Sequence, residues 1–194
     1  MKSYWKPIVA LLLSCLMCAS AWAGTQNIQK KKPQFETRGQ EDTSRFQDRL
    51  VREVRHELLL LPYYSVFDNL AYKVDGDRVA LIGQVTRPVL KSDAEAAVKK
   101  IEGVTGIDNQ IEVLPPSPID DQLRSALFRT IYSSPPLQKY VNQAVPPIHI
   151  IVKSGHVTLE GVVANEADKN VAGIQANSVP NVFSVTNNLQ IENK

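Results

Sequence analysis

Two short stretches decide the fold: VALIGQV at residues 79–85 and VTLEGVV at residues 157–163. Each has valine, leucine, glycine and valine at alternate positions, which is the period of a β-strand with one face in contact with a core. Gly83 and Gly161 occupy the same place in the two runs and lie 78 residues apart. Because glycine weakens a strand, its recurrence indicates either a ligand contact or a close approach of another part of the chain, and we favour the close approach.

The sequence on both sides of these strands repeats at the same offset of 78 residues. KVDGDRVALIGQV (73–85) aligns with a run that ends VKSGHVTLEGVV (152–163), and GVTGIDNQIEV (103–113) aligns with NVFSVTNNLQI (181–191). Separated blocks that match at one offset indicate that a single structural unit is present twice.

Upstream of the first strand the offset falls to 73, because DRLVREVRHEL (48–58) aligns with DQLRSALFRTI (121–131). The second copy therefore carries five extra residues within SSPPLQKYVNQAVPP (133–147). We place the first unit at residues 44–115 and the second unit at residues 116–194.

Each copy predicts the element order α-β-β-α-β. In its first helix, apolar residues recur every four positions, as Leu50, Val54 and Leu58 do in the first copy, and this is the stripe of an amphipathic helix. Two β-rich runs joined by a glycine-containing turn follow, then a second helix and a last strand. The fold class is therefore α+β, with a three-stranded mixed sheet and two helices on one face in each unit. The hairpin strands are predicted at 69–75, 78–86, 148–153 and 156–164, and the last strands at 104–113 and 182–191.

The recurrent glycine has a predicted role in this architecture. Gly83 shares the core face of its strand with the neighbouring valines and leucine, and the small residues Ala94 and Ala97 of the next helix would let that helix approach closely. We therefore interpret Gly83 and Gly161 as structural glycines that seat a helix against the sheet.

The helix ends carry capping signals. Pro88 suits the first position of one helix, and Asn165 suits the N-cap of its counterpart in the second copy. Asp120 or Asp121, which follow Pro118, is predicted to cap the first helix of the second copy.

The N-terminal residues carry a different signal. Two lysines precede an apolar run, and Ala-Trp-Ala at 21–23 offers small residues at the positions that a signal peptidase reads. Residues 1–23 are therefore predicted to be a secretory signal peptide that is cleaved after Ala23. The alternative is a lipoprotein acylated at Cys15, although that would leave a short apolar run before the cysteine. Residues 24–43 are polar and aperiodic, and we expect a flexible linker there.

Charge and cysteine content narrow the function classes. The chain has 22 basic and 20 acidic residues, and two of the lysines belong to the predicted signal peptide, so the exported part is neutral. A neutral protein has no long-range field to attract nucleic acid, and we expect no nucleic-acid partner. Both cysteines also lie in the predicted signal peptide, so the exported part has no disulfide and no thiol chemistry.

The sequence offers no set of nucleophile, base and orienting group, so we expect neither enzyme activity nor a cofactor. His149 and His156 lie in a predicted hairpin, where they could be cross-strand neighbours. Because no carboxylate or cysteine flanks them at ligand spacing, we expect no metal site.

The pattern V-x-x-G-x-V-x-L-x-G-x-V, followed by an alanine-containing helix and G-V-x-x-V-x-N-x-L-x-V, resembles the BON domain, the bacterial osmotically-inducible and nodulation domain of envelope proteins. The second copy fits especially well through VKSGHVTLEGVV and VPNVFSVTNNLQI, with Asn181 in place of the usual glycine. The resemblance covers two tandem copies and implies a three-stranded sheet with two helices per unit. It also implies a periplasmic location and a role in envelope integrity or osmotic stress tolerance, often through phospholipid binding, and it brings no catalytic residues to this chain.

A stripe beside the core positions of the first helix in the second copy is the candidate binding site. Arginine next to aromatic rings suits the headgroup boundary of an anionic phospholipid membrane. The alternative is that the aromatic residues pack against the other repeat, in a module that docks another envelope protein. The predicted contact set is Arg124, Phe128, Arg129, Tyr132 and Tyr140.

Overall fold

The structure, a computed structural model, describes residues 34–143 and 145–192. It contains two α+β units in tandem, each a mixed sheet with two helices, so the predicted fold class is confirmed. The first unit comprises α1 (Gln34–Leu59), β1 (Asn69–Asp75), β2 (Arg78–Val85), α2 (Pro88–Val98), β3 (Gly106–Asn109) and β4 (Glu112–Val113). The second comprises α3 (Pro118–Ser133), a 3₁₀ helix (Gln138–Tyr140), β5 (Ile148–Lys153), β6 (His156–Val163), α4 (Glu166–Asn177), β7 (Ser184–Asn187) and β8 (Gln190–Ile191).

The two sheets have the same topology and register. In the first unit β2 pairs antiparallel with β1 and parallel with β3 and β4, because α2 carries the chain back across the sheet. In the second unit β6 pairs in the same way with β5, β7 and β8. Tyr72 lies opposite Leu81, and Ile150, 78 residues after Tyr72, lies opposite Leu159. The duplication is therefore structural as well as sequential.

Each unit has its own hydrophobic core between its helices and one face of its sheet. The predicted helix stripes lie in these cores, and burial of one leucine contributes about 2 kcal/mol relative to leaving it in water. Two separate cores make each unit a packing entity of its own. The buried stripe residues are Leu50, Val54 and Leu58 in α1 and Leu123, Leu127 and Ile131 in α3.

Gly83 and Gly161 have matching surroundings, as a duplicated architecture requires. The group that lies closest to each of them is the backbone of the preceding strand, and not the following helix. Gly83 has φ +125°, and a Cβ there would lie 2.0 Å from the carbonyl oxygen of Asn69. Gly161 has φ +121°, and a Cβ there would lie 1.9 Å from the carbonyl oxygen of Pro147. The expectation that these glycines seat a helix is therefore wrong. They let the backbone at the start of the preceding strand come close to the central strand, in a conformation that other residues rarely adopt.

The last strand of each unit is broken in two, where continuous strands were predicted over 104–113 and 182–191. At the break, Asn109 Oδ1 accepts the N–H of Ile111 (3.3 Å) and Asn109 Nδ2 donates to the carbonyl of Lys91 in α2 (2.9 Å). Asn187 makes the same pair of bonds, to the N–H of Leu189 (3.3 Å) and the carbonyl of Lys169 in α4 (2.8 Å). The Asn side chain thus binds a backbone N–H that would otherwise be available to the strand ladder, and the ladder is interrupted there. Its second hydrogen bond ties the strand to the preceding helix.

Two of the three predicted helix ends are confirmed. Pro88 begins α2, and the Asn165 side chain accepts the N–H of Asp168 (2.8 Å) as the N-cap of α4. The N-cap of α3 is Ser117, whose Oγ accepts the N–H of Asp120 (3.2 Å), so the prediction of an aspartate cap is wrong.

The carboxylate of Asp120 instead holds the hairpin turn between β5 and β6. It accepts the N–H groups of Ser154 and Gly155, each at 2.9 Å. In the first unit the equivalent residue Gln47 donates to the carbonyl of Gly76 (2.9 Å) in the corresponding turn. In both units, therefore, the first helix clamps the hairpin turn through one polar side chain.

The described part of the N-terminal region, residues 34–43, is helical and not a flexible linker. α1 begins at Gln34, so the flexible linker predicted over 24–43 is wrong for residues 34–43. The rest of that linker and the predicted signal peptide lie outside the described residues. Within the described residues, no helix has both the length and the apolar character needed to cross a bilayer.

Replacing Gly161 with alanine should lower the free energy of unfolding by more than about 2 kcal/mol, because the side chain meets a backbone carbonyl at a strained φ. Urea unfolding followed by circular dichroism measures this change. The matched control is Gly76→Asn, at a turn with φ +63° and open space around the position. Asparagine tolerates that conformation, so the control should lose at most about 1 kcal/mol. Equal losses in the two variants would contradict the assignment.

Candidate functional site

The predicted contact set is mostly internal. Arg124 and Tyr132 are each 4% exposed and Tyr140 is 7% exposed, so the expected surface stripe is wrong for these three residues. The Tyr132 hydroxyl donates to the carbonyl of Ile148 (2.7 Å) and accepts the N–H of the same residue (3.2 Å). Burial accordingly raises the pKa of Tyr132 well above its usual value. The tyrosine ties α3 to the first residue of β5.

Arg124 is a second tie between the same two elements. Its Nη2 donates to the carbonyl of Val152 (2.7 Å), and its Nη1 pairs with Asp121 (2.5 Å) one turn earlier in α3. Its Nε atom is buried without a hydrogen-bond partner among the described residues. A guanidinium held in this way is directed into the unit and is not available to a lipid phosphate.

Tyr140, which lies within the segment that carries the five-residue insertion, shows the structural role of that insertion. Its hydroxyl donates to Asp168 (2.6 Å) and accepts the N–H of Ala164 (2.8 Å), the residue after the central strand. In the first unit the equivalent N–H, that of Thr86, is bound by the buried carboxylate of Asp68 (2.6 Å). The insertion therefore brings in a tyrosine that satisfies the backbone group which an aspartate satisfies in the first unit.

The Tyr140–Asp168 pair is part of a polar cluster at the start of α4. Lys139 lies 2.6 Å from the Asp168 carboxylate, and Asn165 donates to it at 3.2 Å. Burial, and then the hydrogen bond to Asp168, raises the pKa of Tyr140. Burial would raise the pKa of Asp168 as well, but the hydrogen bonds from Lys139 and Tyr140 outweigh it and hold that pKa below its usual value. These interactions fix the inserted segment onto the second unit.

Phe128 lies at the junction between the two units. Its ring meets that of Phe67 edge-on, with centroids 6.2 Å apart, so the interpretation that it packs against the other repeat is confirmed. Phe67 belongs to residues 61–68, which follow α1 and which we call the junction segment. Within it, Val66 is buried in the core of the second unit, and its carbonyl accepts the N–H of Ile150 (2.8 Å) at the outer edge of β5.

A second set of contacts joins the units next to β4. Lys153 pairs with Glu112 (2.5 Å) across the junction. Leu114, which follows β4, and Ile151, on the outer face of β5, are both buried and line a groove of about 330 Å³ between the units. The junction thus combines one backbone hydrogen bond, aromatic contacts and an ion pair.

The two hairpin histidines are not neighbours. His149 lies opposite Glu160 on β6, whereas His156 lies opposite Lys153 and bonds through Nδ1 to Ser184 Oγ (2.7 Å). Among residues 34–143 and 145–192, no three His, Cys, Asp or Glu side chains come together as a metal-ligand set.

Two large apolar side chains are exposed on either side of the β5–β6 turn, and we call Ile119 and Phe183 the apolar tip. Ile119, in the first turn of α3, is 69% exposed, and Phe183, just before β7, is 75% exposed. The turn holds both in place, because Asp120 binds its N–H groups and the Phe183 N–H donates to the carbonyl of Gly155 (2.9 Å). The Phe183 ring lies directly over Gly155, where a Cβ would come within 2.6 Å of it.

A groove of about 620 Å³ runs from the apolar tip between α3 and the end of α4. It is lined by Ile119, Arg129 and Pro180, and also by Asp121. Arg129 is exposed, and its Nε donates to the carbonyl of Ser125 (3.2 Å). Arg129 is therefore the member of the predicted contact set that faces an open surface, and it lies on the same groove as Ile119.

The first unit has no equivalent of the apolar tip. Thr105 replaces Phe183, and its hydroxyl bonds to Asp77 (2.5 Å). Phe46 replaces Ile119, but its ring is partly buried beside Gly103 and under Arg49, whose guanidinium carbon lies 5.4 Å from the ring centroid. Alignment of the copies at offsets 78 and 73 shows these replacements, and it was the signal that could have located the tip from sequence.

The family model of the BON domain matches residues 48–115 and 120–193, which are the two structural units. The chain belongs to the BON domain family. The predicted pair of tandem BON copies is confirmed. The departure at Asn181 is also accommodated, because Asn181 has φ +66° where Gly103 has φ +95° in the first copy, and asparagine tolerates the left-handed region.

No curated protein sequence matches this chain. Two solved structures of CdsD, a structural protein of the type III secretion system of Chlamydia trachomatis, share 12% identity with it over 74% of its length. The match covers 98% of the CdsD C-terminal domain in one structure and 92% of the chain in the other, each with a TM-score of 0.27.

Replacing Tyr140 with phenylalanine should destabilise the protein by about 1–3 kcal/mol, because the variant leaves the Ala164 N–H and the Asp168 carboxylate without their buried partner. The free energy of unfolding in urea measures this loss. Tyr63→Phe is the matched control, since Tyr63 is largely exposed and its removal of a hydroxyl should change stability by no more than about 0.5 kcal/mol. A Tyr140→Phe variant as stable as this control would refute the role assigned to the insertion.

Proposed function

We propose that this BON protein is an exported binding module of the cell envelope, which attaches peripherally to anionic phospholipid through the apolar tip. The observation that carries the proposal is the exposure of Phe183, a large ring held in water by a structured turn. Exposed apolar side chains that the fold holds in place mark interaction surfaces, and aromatic rings favour the membrane–water interface.

The energetics fit a reversible attachment. Transfer of Ile119 and Phe183 out of water would contribute about 1.5–3 kcal/mol for each side chain if burial were complete. Arg129 on the adjoining groove can donate charge-assisted hydrogen bonds to a lipid phosphate. Because Asp121 lines the same groove and the exported chain is neutral, the apolar contribution dominates, and salt screens only the arginine contribution.

The envelope location in this proposal is supported by the BON family and by the signal peptide predicted over residues 1–23. Acylation at Cys15 is the alternative route to the membrane. A role in envelope integrity or osmotic stress tolerance follows from the family in the same way.

The second candidate function is a structural or docking element that binds another envelope protein. The contact of Phe128 with Phe67 of the other repeat favours it, and the burial of Tyr132 leaves that aromatic ring unavailable to a membrane. This function predicts that cross-linking in cells captures a defined protein partner and that variants of the apolar tip leave that partner bound.

The double variant Ile119→Ser, Phe183→Ser should bind vesicles of phosphatidylglycerol at least about tenfold more weakly than the wild type, because both apolar contacts with the interface are lost. Co-sedimentation of residues 24–194 with the vesicles at low salt measures binding. Arg129→Ala alone should weaken binding less, and its effect should disappear at high salt.

The matched control is Ile174→Ser, because Ile174 is a similarly exposed aliphatic residue of α4 that does not line the groove. It should bind as the wild type does. If the wild type ignores these vesicles, the phospholipid function is lost. If both serine variants lose binding equally, the apolar tip is not the contact surface.

A further inference from the structure

His149 occupies the junction between the units, on the outer face of β5. Its ring stacks on Tyr64 of the junction segment, with centroids 5.6 Å apart and the Tyr64 hydroxyl 3.5 Å from Nε2. The next residue along β5, Ile150, donates its N–H to the carbonyl of Val66. The imidazole therefore lies beside the one backbone hydrogen bond that joins the junction segment to β5 in the described part of the chain.

The site suits a neutral ring and offers little to a charged one. Nδ1 of His149 is buried and lacks a hydrogen-bond partner among the described residues. The backbones of Ser65 and Asp68 lie near enough to favour a protonated ring electrostatically, but neither reaches hydrogen-bond geometry with Nδ1. Burial raises the pKa of the Tyr64 hydroxyl to about 12, so this neighbour stays neutral and gives a positive charge no ionic partner.

Two carboxylates face His149, and both are already engaged. Asp68, in the junction segment, accepts the N–H and hydroxyl groups of Ser65 (3.0 and 2.6 Å) and of Thr86 (2.6 and 2.8 Å). Glu160, opposite His149 on β6, accepts a hydrogen bond from Asn188 (2.7 Å). To pair with a protonated imidazole, Asp68 would have to give up bonds that satisfy partly buried backbone groups.

We propose that His149 is a pH-sensitive latch, whose neutral ring holds the junction segment on the second unit and whose protonation releases it. Protonation places an unpaired positive charge between Tyr64 and β5, and the segment moves away to let water reach the ring. Each unit retains its own core, so the opening is local. It frees the outer edge of β5 at Ile150 and the face of Phe128 that meets Phe67.

The direction of the pH dependence follows from the burial of the ring. Desolvation is the largest effect on His149 and holds its pKa below the usual value of 6.5, although Asp68 and Glu160 act in the opposite sense. A base with a depressed folded-state pKa stabilises the closed junction fully above the unfolded-state pKa. That stability decreases as the pH falls below about 6.5 and is lost once the pH passes the folded-state pKa.

Amide hydrogen exchange at Ile150 tests the latch, with Leu159 at the centre of β6 as the internal reference. After correction for intrinsic exchange rates, a change from about pH 7.5 to about pH 5 should raise exchange at Ile150 at least tenfold relative to Leu159. Since the chain has three histidines, the imidazole resonances can be assigned by single variants and the titration of His149 followed directly.

His149→Phe keeps a ring against Tyr64 and cannot be protonated, so its Ile150 exchange should not respond to pH. His149→Gln is a second non-titrating variant in case the first perturbs the junction. His56→Gln is the matched control, because His56 is exposed on α1, and it should retain the wild-type response. A wild-type Ile150 amide that stays protected at pH 5, or the same pH response in both His149 variants, would overturn the proposal.

Discussion

The fold depends on one close approach, which occurs twice. The carbonyls of Asn69 and Pro147 lie where the side chains of Gly83 and Gly161 would otherwise be. This close approach falls at the same place in the register of each hairpin. A slip of one residue in that register would turn every apolar side chain of β2 or β6 away from the helices. The cores, the helix positions and the junction edge of β5 all follow from that register, so a glycine without any chemistry of its own is the residue type that the architecture cannot replace.

The two units then satisfy identical backbone requirements with different side chains. The N–H after the central strand is bound by Asp68 in one unit and by the Tyr140 hydroxyl in the other. Such groups must be paired wherever they are buried, but any acceptor of suitable reach serves. The insertion in the second copy therefore supplies a structural alternative to Asp68. The Asn109 and Asn187 bridges, by contrast, use the same residue type for the same bond in both units.

The sequence was sufficient for the features that depend on periodicity. Stripe spacing gave the helices, alternation gave the hairpins, and the offset gave the duplication. The sequence was insufficient where a long side chain could point either into the core or into solvent. Arg124 sits beside the core stripe on a helical wheel, and nothing local shows that its guanidinium reaches the carbonyl of Val152. The burial of Tyr132 likewise depends on β5, which lies beyond the insertion. For this reason most of the residues predicted from the stripe are buried. Ile119 and Phe183 could have been found from the sequence by comparing the positions at which the aligned copies differ.

Duplication usually produces two equal units, and here the inequality is informative. The junction segment of the first unit covers the edge of β5 at Ile150. The inner-face residues Ile148, Ile150 and Val152 of β5 are fully buried. In the first unit the corresponding side chains of β1 are only partly buried. In the second unit, therefore, the edge of β5 is covered by the junction segment and the apolar tip is exposed to water. In the first unit a polar turn takes the place of the tip. Because an uncovered apolar group favours association, this division agrees with the proposed function, in which the second unit makes the contact and the first unit supports it.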